Sequence, residues 1–390
     1  NFSSTSAITI PGFTYGNITN ISAAGTQRIF DPLGSTDPTH VIVCRSMAPV
    51  SPYVRGNNII TGSKIKLIRS GSTSLSGFYY NDFELAGDLG GANLNLSGLI
   101  GIAGTFTMAA VNYNLNIGTS RFFYNGTGNQ TITPLNYYDL WIAGTGAAAG
   151  SRIVLLPNYG TIGVRNQLAV AADAPLGLPS TFSAGNGFVV TGSTVNFFTG
   201  SQNIPVLPPV VAGGNNYNNV SITGGTRILA GDTRLGGDLT VTGADGNLAT
   251  LNVGNAAANR NLTVAGNINL SGTSAMSALT STIDFNAGAT TVTINLAGNL
   301  TISGTSQLTT TNGSTVKGTL LFNGTSQQYS NTSIFKNGFV NFTVGNGTAA
   351  TTLTLNNTLE LIRSGTAPFS GAFTVAANSI LNAGTNNITV

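Results

Sequence analysis

The chain has 390 residues and a formal net charge of +3, and charged residues make up only 7% of it, against about a quarter in an average soluble protein. Glycine contributes 51 residues and hydrophobic residues 41%. This composition argues against intrinsic disorder, which needs low hydrophobicity and high charge, and against a coiled coil, which needs many charged helix-forming residues. The charge is also too small for a nucleic-acid surface.

Residues 1–60 alternate poorly between polar and apolar positions and contain the only histidine and the only cysteine. A single cysteine excludes a disulfide within the chain. His40 and Cys44 lie four residues apart around a short apolar run, and without further ligands nearby we expect neither a metal site nor a nucleophile. We predict an irregular cap or subunit-contact segment over 1–60, followed by one repetitive domain over 61–390.

Short alternating runs fill the chain after residue 60. Three of them match each other closely: 235–243, 264–272 and 296–304 each place apolar residues at every second position and end in glycine. Alternation with a period of two points all the apolar side chains to one face of a strand. The runs begin 29 and then 32 residues apart, a spacing typical of solenoids and repeat arrays.

A second repeated cassette consists of an aromatic residue, Asn or Thr, and Gly, with a glutamine downstream. It occurs at 124–126 with Gln130, at 198–200 with Gln202 and at 322–324 with Gln327. Asn-Gly supplies the positive φ angles of tight turns. Each copy leads into another strand-like run, so the cassette predicts a turn between strands.

Stacking of these units is favoured because one short unit cannot bury its apolar row alone, whereas coils about 4.8 Å apart can. We therefore predict an all-β fold, a parallel β-helix (β-solenoid). Tandem antiparallel β-sandwiches remain the alternative, because alternation alone does not give strand direction. No apolar run of eighteen residues occurs, so we expect no membrane-spanning helix.

The Gly-Asn-Leu-Thr-Ile-Ser-Gly run at 298–304 and the Phe-Asn-Gly-Thr-x-Gln run at 322–327 resemble the repeats of secreted bacterial surface proteins. The similarity is to the large β-solenoid adhesins and filament proteins of Bacteroidota, over about residues 60–390. It implies an extracellular or cell-surface location and a role as a stalk, fibre or adhesin.

Few side chains could carry catalysis. Asp82, Glu84 and Asp88 are the only adjacent acids that could serve a polysaccharide lyase or hydrolase, and we expect them to have structural roles. Tyr137, Tyr138 and Trp141 could form a glycan-stacking surface, although alternate members of this run are expected to cap the core. We expect no catalytic residue, no metal site and no cofactor.

The sequence thus predicts a non-catalytic extracellular structural or adhesive solenoid, a subunit or segment of a filament, sheath or stalk. Low charge removes long-range repulsion between copies, so we expect a homo-oligomer or homopolymer. Residues 387–390 still have the character of a strand, and we expect another subunit or further sequence to complete that end. A polysaccharide-active enzyme or a glycan-binding module on a β-helix scaffold is the alternative, with a glycan or other surface ligand as partner.

Overall fold

The computed structural model describes residues 7–19, 28–30, 40–48, 58–59, 61–68, 70–75, 77–142, 152–170, 187–254, 260–285, 292–310, 318–335, 337–338, 340–361 and 371–389. Within these ranges the regular structure consists of short β-strands, with no α-helix. The chain divides into two compact units. The first comprises residues 1–157 and 167–189, and the second comprises residues 158–166 and 190–390.

The strands are numbered in chain order. Up to residue 189 they are β1 (Ile8–Ile10), β2 (Asn17–Thr19), β3 (Arg28–Phe30), β4 (Ile42–Cys44), β5 (Ser46–Ala48), β6 (Asn58–Ile59), β7 (Lys64–Ile68), β8 (Thr73–Leu75), β9 (Tyr79–Tyr80), β10 (Asp82–Leu96), β11 (Leu99–Ile102), β12 (Phe106–Asn116), β13 (Arg121–Tyr124), β14 (Gln130–Thr131), β15 (Asn136–Ile142), β16 (Ile153–Leu155), β17 (Thr161–Val170) and β18 (Gly187–Val189).

The remaining strands are β19 (Thr194–Phe197), β20 (Gln202–Ile204), β21 (Asn219–Ile222), β22 (Gly225–Leu229), β23 (Thr233–Leu235), β24 (Leu239–Ala244), β25 (Ala249–Asn252), β26 (Leu262–Val264), β27 (Ile268–Thr273), β28 (Ser281–Asp284), β29 (Thr293–Leu296), β30 (Leu300–Gly304), β31 (Ser306–Thr309), β32 (Gly318–Phe322), β33 (Ser326–Asn331), β34 (Val340–Val344), β35 (Thr351–Leu355), β36 (Leu359–Glu360), β37 (Phe373–Val375), β38 (Ser379–Asn382) and β39 (Ile388–Thr389).

The second unit is built from three parallel sheets. The first sheet has the order β17-β19-β21-β24-β27-β30-β33-β35-β38, the second sheet β20-β22-β25-β28-β31 and the third sheet β23-β26-β29-β32-β34-β37. Consecutive strands such as β27, β28 and β29 contribute one strand to each sheet, and β30 then returns to the first sheet beside β27. One coil of a parallel β-helix is completed in this way.

Residues of successive coils lie directly over one another in the second unit. Leu239 pairs with Ile268, and Ile268 with Leu300, at the same positions of the three alternating runs. All three side chains are at most 1% exposed. The residue that follows each of them in its strand points to the opposite face and is half-buried or exposed. Alternation therefore stacks aliphatic side chains into columns inside the helix, where they are removed from water.

The first unit is also made of parallel strands, in the orders β4-β7-β10-β12, β9-β11-β13-β15, β14-β16-β18 and β1-β3-β6, with β2 beside β5. Its core is more aromatic. Ring pairs with centroids 4.3–5.7 Å apart join seven buried rings into one column: Phe30, Phe78, Tyr80, Phe83, Phe106, Phe122 and Tyr137. Such separations are those of favourable edge-to-face and offset contacts.

The predicted parallel β-helix is confirmed. The pairs between the described strands are parallel, which decides against antiparallel sandwiches, and no helical crossover is needed because each coil provides its own return. Residue 60 does not mark a break in strand pairing, since β4 pairs with β7 in the same sheet. The short apolar run at 42–44 is thus a strand of that sheet, although its surroundings in sequence alternate poorly.

Candidate functional site

A buried glutamine joins successive coils at one corner of the second unit. Gln327 is 1% exposed. Its Oε1 accepts a hydrogen bond from the amide of Gly324 in its own coil, at 2.7 Å. Its Nε2 donates to the carbonyl oxygens of Leu296, at 2.9 Å, and of Gly298, at 2.6 Å, in the preceding coil. One side chain therefore bonds three backbone groups, which need partners where water is excluded.

The same arrangement occurs in the first unit. Gln130 Oε1 accepts from the Gly126 amide at 2.9 Å, and its Nε2 donates to the carbonyls of Ile102, at 3.1 Å, and Gly104, at 2.8 Å. Both glutamines belong to the repeated cassette in the sequence. We call this arrangement the glutamine clamp, and it explains why the cassette needs a glutamine downstream of its turn.

An arginine takes this role in the remaining copy of the cassette. Gln202 is half-buried there, and its neighbour in the next coil, Arg227, is fully buried. The guanidinium group donates to the carbonyls of Arg165, at 2.9 Å, of Asn166, at 3.3 Å, and of Thr199. Carbonyl oxygens thus surround the buried cation, as a charged group removed from water requires.

A second buried arginine supports the clamp in the first unit. Arg152 follows Gln130 by one coil, and its Nη2 donates to Gln130 Oε1 at 2.5 Å. Burial lowers the pKa of Arg152 and of Arg227 to about 10, so both stay charged at neutral pH. Composition and spacing did not single out these residues, because an arginine in a polar sequence is usually exposed.

A ladder of polar side chains runs across five coils at the start of the first sheet's strands. In each step a side-chain oxygen accepts a hydrogen bond of 2.7–2.9 Å from a backbone amide of the next coil. The members are Asn219, Asp238, Asn267, Asn299 and Gln328, and the last contributes its amide. We call this row the asparagine ladder. The sequence signal for this ladder is the Asn or Asp that follows glycine in each of the three alternating runs.

The three candidate acids each make contacts of a structural kind. Glu84 accepts from Lys64 at 3.2 Å and from Lys66 at 2.6 Å. Burial acts to raise the pKa of the Glu84 carboxyl, but the hydrogen bonds and charges of the two lysines outweigh it and hold that pKa below its usual value. Glu84 is therefore a carboxylate at neutral pH, unlike a general acid with a raised pKa.

The two aspartates bind backbone and side-chain groups of neighbouring turns. Asp82 Oδ1 accepts from the amide and the hydroxyl of Thr105, at 2.6 and 2.8 Å, in the next coil. Asp88 Oδ1 accepts from the amide of Gly90, at 2.9 Å, and from Asn112 Nδ2, at 3.1 Å. The bonds of Asp82 hold two neighbouring coils together. The bonds of Asp88 stabilise the irregular part of β10, where the pairing register with β12 shifts after Asp88.

The three candidate glycan-stacking rings lie in β15 and differ in exposure. Tyr137 is fully buried and donates to the Thr133 carbonyl at 2.6 Å. Trp141 is 7% exposed, and its Nε1 donates to Gln167 Oε1 at 3.2 Å. Tyr138 between them is half-buried. Because both faces of this strand are covered, the rings do not form one exposed platform.

The remaining candidates are His40 and Cys44. Cys44 lies in β4 and is 1% exposed, and burial raises the pKa of its thiol to about 12. The thiol is therefore protonated at neutral pH, which suits neither a nucleophile nor a metal ligand. His40 is half-buried just before the strand. Among the residues that the structure describes, no three His, Cys, Asp or Glu side chains cluster as a metal site would require.

Comparisons with protein-family models, with curated protein sequences and with solved structures found no significant match to this chain. A search of the described part of the chain for a helix of the length and hydropathy needed to cross a membrane was also negative. The geometry of the corners and faces therefore carries the functional argument.

Proposed function

We propose that the chain is a non-catalytic structural or adhesive segment of an extracellular filament, sheath or stalk, and that copies of it self-associate. The observation that carries the proposal is the use of buried polar groups to tie one coil to the next. Glutamine clamps, buried arginines and the asparagine ladder all connect neighbouring coils. Such a scaffold gains stability from nearest-neighbour contacts, as in other solenoids.

The outer face of the first sheet suits contact between copies. One outward row in register across five coils consists of Ser221, Thr240, Asn269, Thr301 and Ser330. These side chains are uncharged, and the whole chain has only 7% charged residues. Two such faces approach without like-charge repulsion, and their hydroxyl and amide groups can donate and accept hydrogen bonds.

Light scattering coupled to size exclusion, together with negative-stain imaging, tests self-association. We expect the mass to rise with protein concentration and rods or fibres to form. The double variant Thr240→Lys, Thr301→Lys puts two like charges on the outer face, so association should shift to higher concentration, and 0.5 M salt should restore it by screening. A monomer at every concentration would contradict the proposal.

The contacts of Asp82, Glu84 and Asp88 support a non-catalytic role, because each carboxylate already binds groups of the scaffold. A panel of polysaccharides assayed for new reducing ends and for unsaturated products tests the enzymatic alternative. We expect no turnover by the unaltered chain. Turnover that Glu84→Gln abolishes while the fold is retained would establish the enzyme instead.

A further inference from the structure

A polar groove of about 410 Å³ lies over the third sheet of the second unit. Its floor is an outward row from three successive coils, Arg234 in β23, Thr263 in β26 and Asn295 in β29, which are paired in register. A volume of this size lies within the usual range of small-ligand sites. The groove does not overlap the clamps, the ladder or the outer face of the first sheet.

One wall of the groove is the loop that precedes β21, and hydrogen bonds hold it against β23. Asn216 Oδ1 accepts from the Arg234 amide at 2.7 Å, and Asn216 Nδ2 donates to the Leu207 carbonyl at 3.0 Å. Arg234 Nη1 donates to the Gly213 carbonyl at 3.1 Å. Asn216 is 6% exposed, so this polar anchor is built into the fold and the wall is preorganised.

Glycine gives this loop its shape. Gly213 has a φ of +77°, a conformation that other residues rarely adopt. A Cβ on Gly214 would lie 2.9 Å from the Val211 carbonyl oxygen and 3.1 Å from the Pro209 Cβ. The close turn places Pro209 on the lining of the groove, where it offers an apolar surface beside the polar floor.

The opposite wall continues the repeat. Asp232 Oδ1 accepts from the Asn261 amide at 2.7 Å, and Asn261 Oδ1 accepts from the Thr293 amide at 3.3 Å in the following coil. These bonds use one carboxylate oxygen of Asp232 and the side-chain amide oxygen of Asn261. The second oxygen of Asp232 and the Nδ2 of Asn261 are the remaining polar groups of two exposed side chains on the groove lining.

The chemistry of the lining indicates the class of ligand. Its two charged groups, Asp232 and Arg234, have opposite signs, so neither an anion nor a cation gains a net Coulomb attraction. The other polar side chains of the lining are amides and hydroxyls, which donate and accept hydrogen bonds. A neutral ligand with many hydroxyl groups and an apolar C–H face fits this combination of polar floor and Pro209.

The floor also has a repeat. Coils follow one another at about 4.8 Å, a step close to the length of one sugar residue in an extended chain. We propose that this groove binds a neutral polysaccharide that lies along the stacking direction, with successive sugars over Arg234, Thr263 and Asn295. This site goes beyond the scaffold role and does not depend on self-association.

Affinity electrophoresis of the full chain tests the site, with dextran, mannan, xylan and a mixed-linkage β-glucan as neutral probes and polygalacturonate as the anionic probe. We expect at least one neutral polysaccharide to retard the protein, and Thr263→Val with Asn295→Ala to weaken that binding at least tenfold. Asn252→Ala is the matched control, because Asn252 is a half-buried asparagine in β25 of the second sheet, outside both the groove and the outer face of the first sheet.

Circular dichroism and thermal unfolding of each variant establish that it is folded. Any of three results would overturn the proposal: no retardation by a neutral polysaccharide, retardation by polygalacturonate alone, or equal binding by the groove variant and the unaltered chain. Equal loss in the Asn252→Ala control would also overturn it, since binding would then not depend on the groove residues. Self-association, measured by light scattering, is a separate readout.

Discussion

The glutamine clamp can be removed with little change in side-chain volume by Gln327→Met. The substitution deletes the bonds to the Gly324 amide and to the carbonyls of Leu296 and Gly298. The Leu296 carbonyl keeps its bond from the Asn323 amide, at 2.9 Å. The two backbone groups that lose the bonds of the clamp are the Gly324 amide in one coil and the Gly298 carbonyl in the preceding coil.

The expected cost follows from those two groups. A buried polar group left without a partner costs about 1–3 kcal/mol. Gly324 and Gly298 are half-buried, so each lost bond should cost about 1 kcal/mol, the lower end of this range. The free energy of local opening should therefore fall by about 2 kcal/mol. Since about 1.4 kcal/mol corresponds to a factor of ten, amides protected by this corner should exchange about 30-fold faster.

Hydrogen exchange followed by mass spectrometry measures this in peptides that cover residues 294–300 and 320–330. Gln328→Met is the matched control, because Gln328 is exposed and its ladder bond uses the backbone amide. The control should change stability by less than about 0.5 kcal/mol. Equal exchange in the two variants would refute the idea that the clamp joins the coils.

Three further predictions concern buried polar and ionisable groups. Asn267→Ala removes the acceptor of the Asn299 amide and should lower the free energy of unfolding, measured in urea, by about 1 kcal/mol. An unchanged urea midpoint would contradict a stabilising role of the asparagine ladder. The Cys44 thiol should resist Ellman's reagent at pH 8 until the protein is denatured, because burial raises its pKa from the usual 9.0 to about 12. Rapid reaction of the folded protein would contradict this burial. Tyr329 has a folded pKa of about 12 against 10.0, so its contribution to stability is present below pH 10 and is lost as the pH rises towards 12. Tyr329→Phe should make the fall of the free energy of unfolding at alkaline pH less steep. Burial also raises the pKa of three other phenols, whose tyrosinate absorbance should appear only on unfolding: Tyr124, Tyr137 and Tyr217.

The interior columns of the second unit could be predicted from the sequence because alternation in a strand has only two faces. The alternating runs at 235–243, 264–272 and 296–304 align in the structure as their repeat suggested, with Leu239, Ile268 and Leu300 in one column. Strand direction could not be predicted in this way, because parallel and antiparallel pairs bury the same alternate residues. The structure supplies it through the return of each coil to the first sheet.

Sites formed by several coils were harder to predict. The cassette predicted a turn, but the bonds from Gln327 to carbonyls 29 and 31 residues away depend on coil length. Arg227 is buried because three carbonyl oxygens surround it, an arrangement that exists only after the coils have stacked. The polar groove likewise combines a loop at 205–217 with outward residues of three later strands, and no single segment of sequence contains it.

The distance between spin labels on Ser221 and Ser330 tests the stacked coils most directly. These residues lie in the same outward row, four coil steps apart, although 109 positions separate them in the chain. Steps of about 4.8 Å predict a single narrow distribution near 19 Å, and moving the second label to Thr301 should shorten the distance by one step. A broad distribution centred beyond about 40 Å, about twice the stacked value, would contradict in-register parallel stacking.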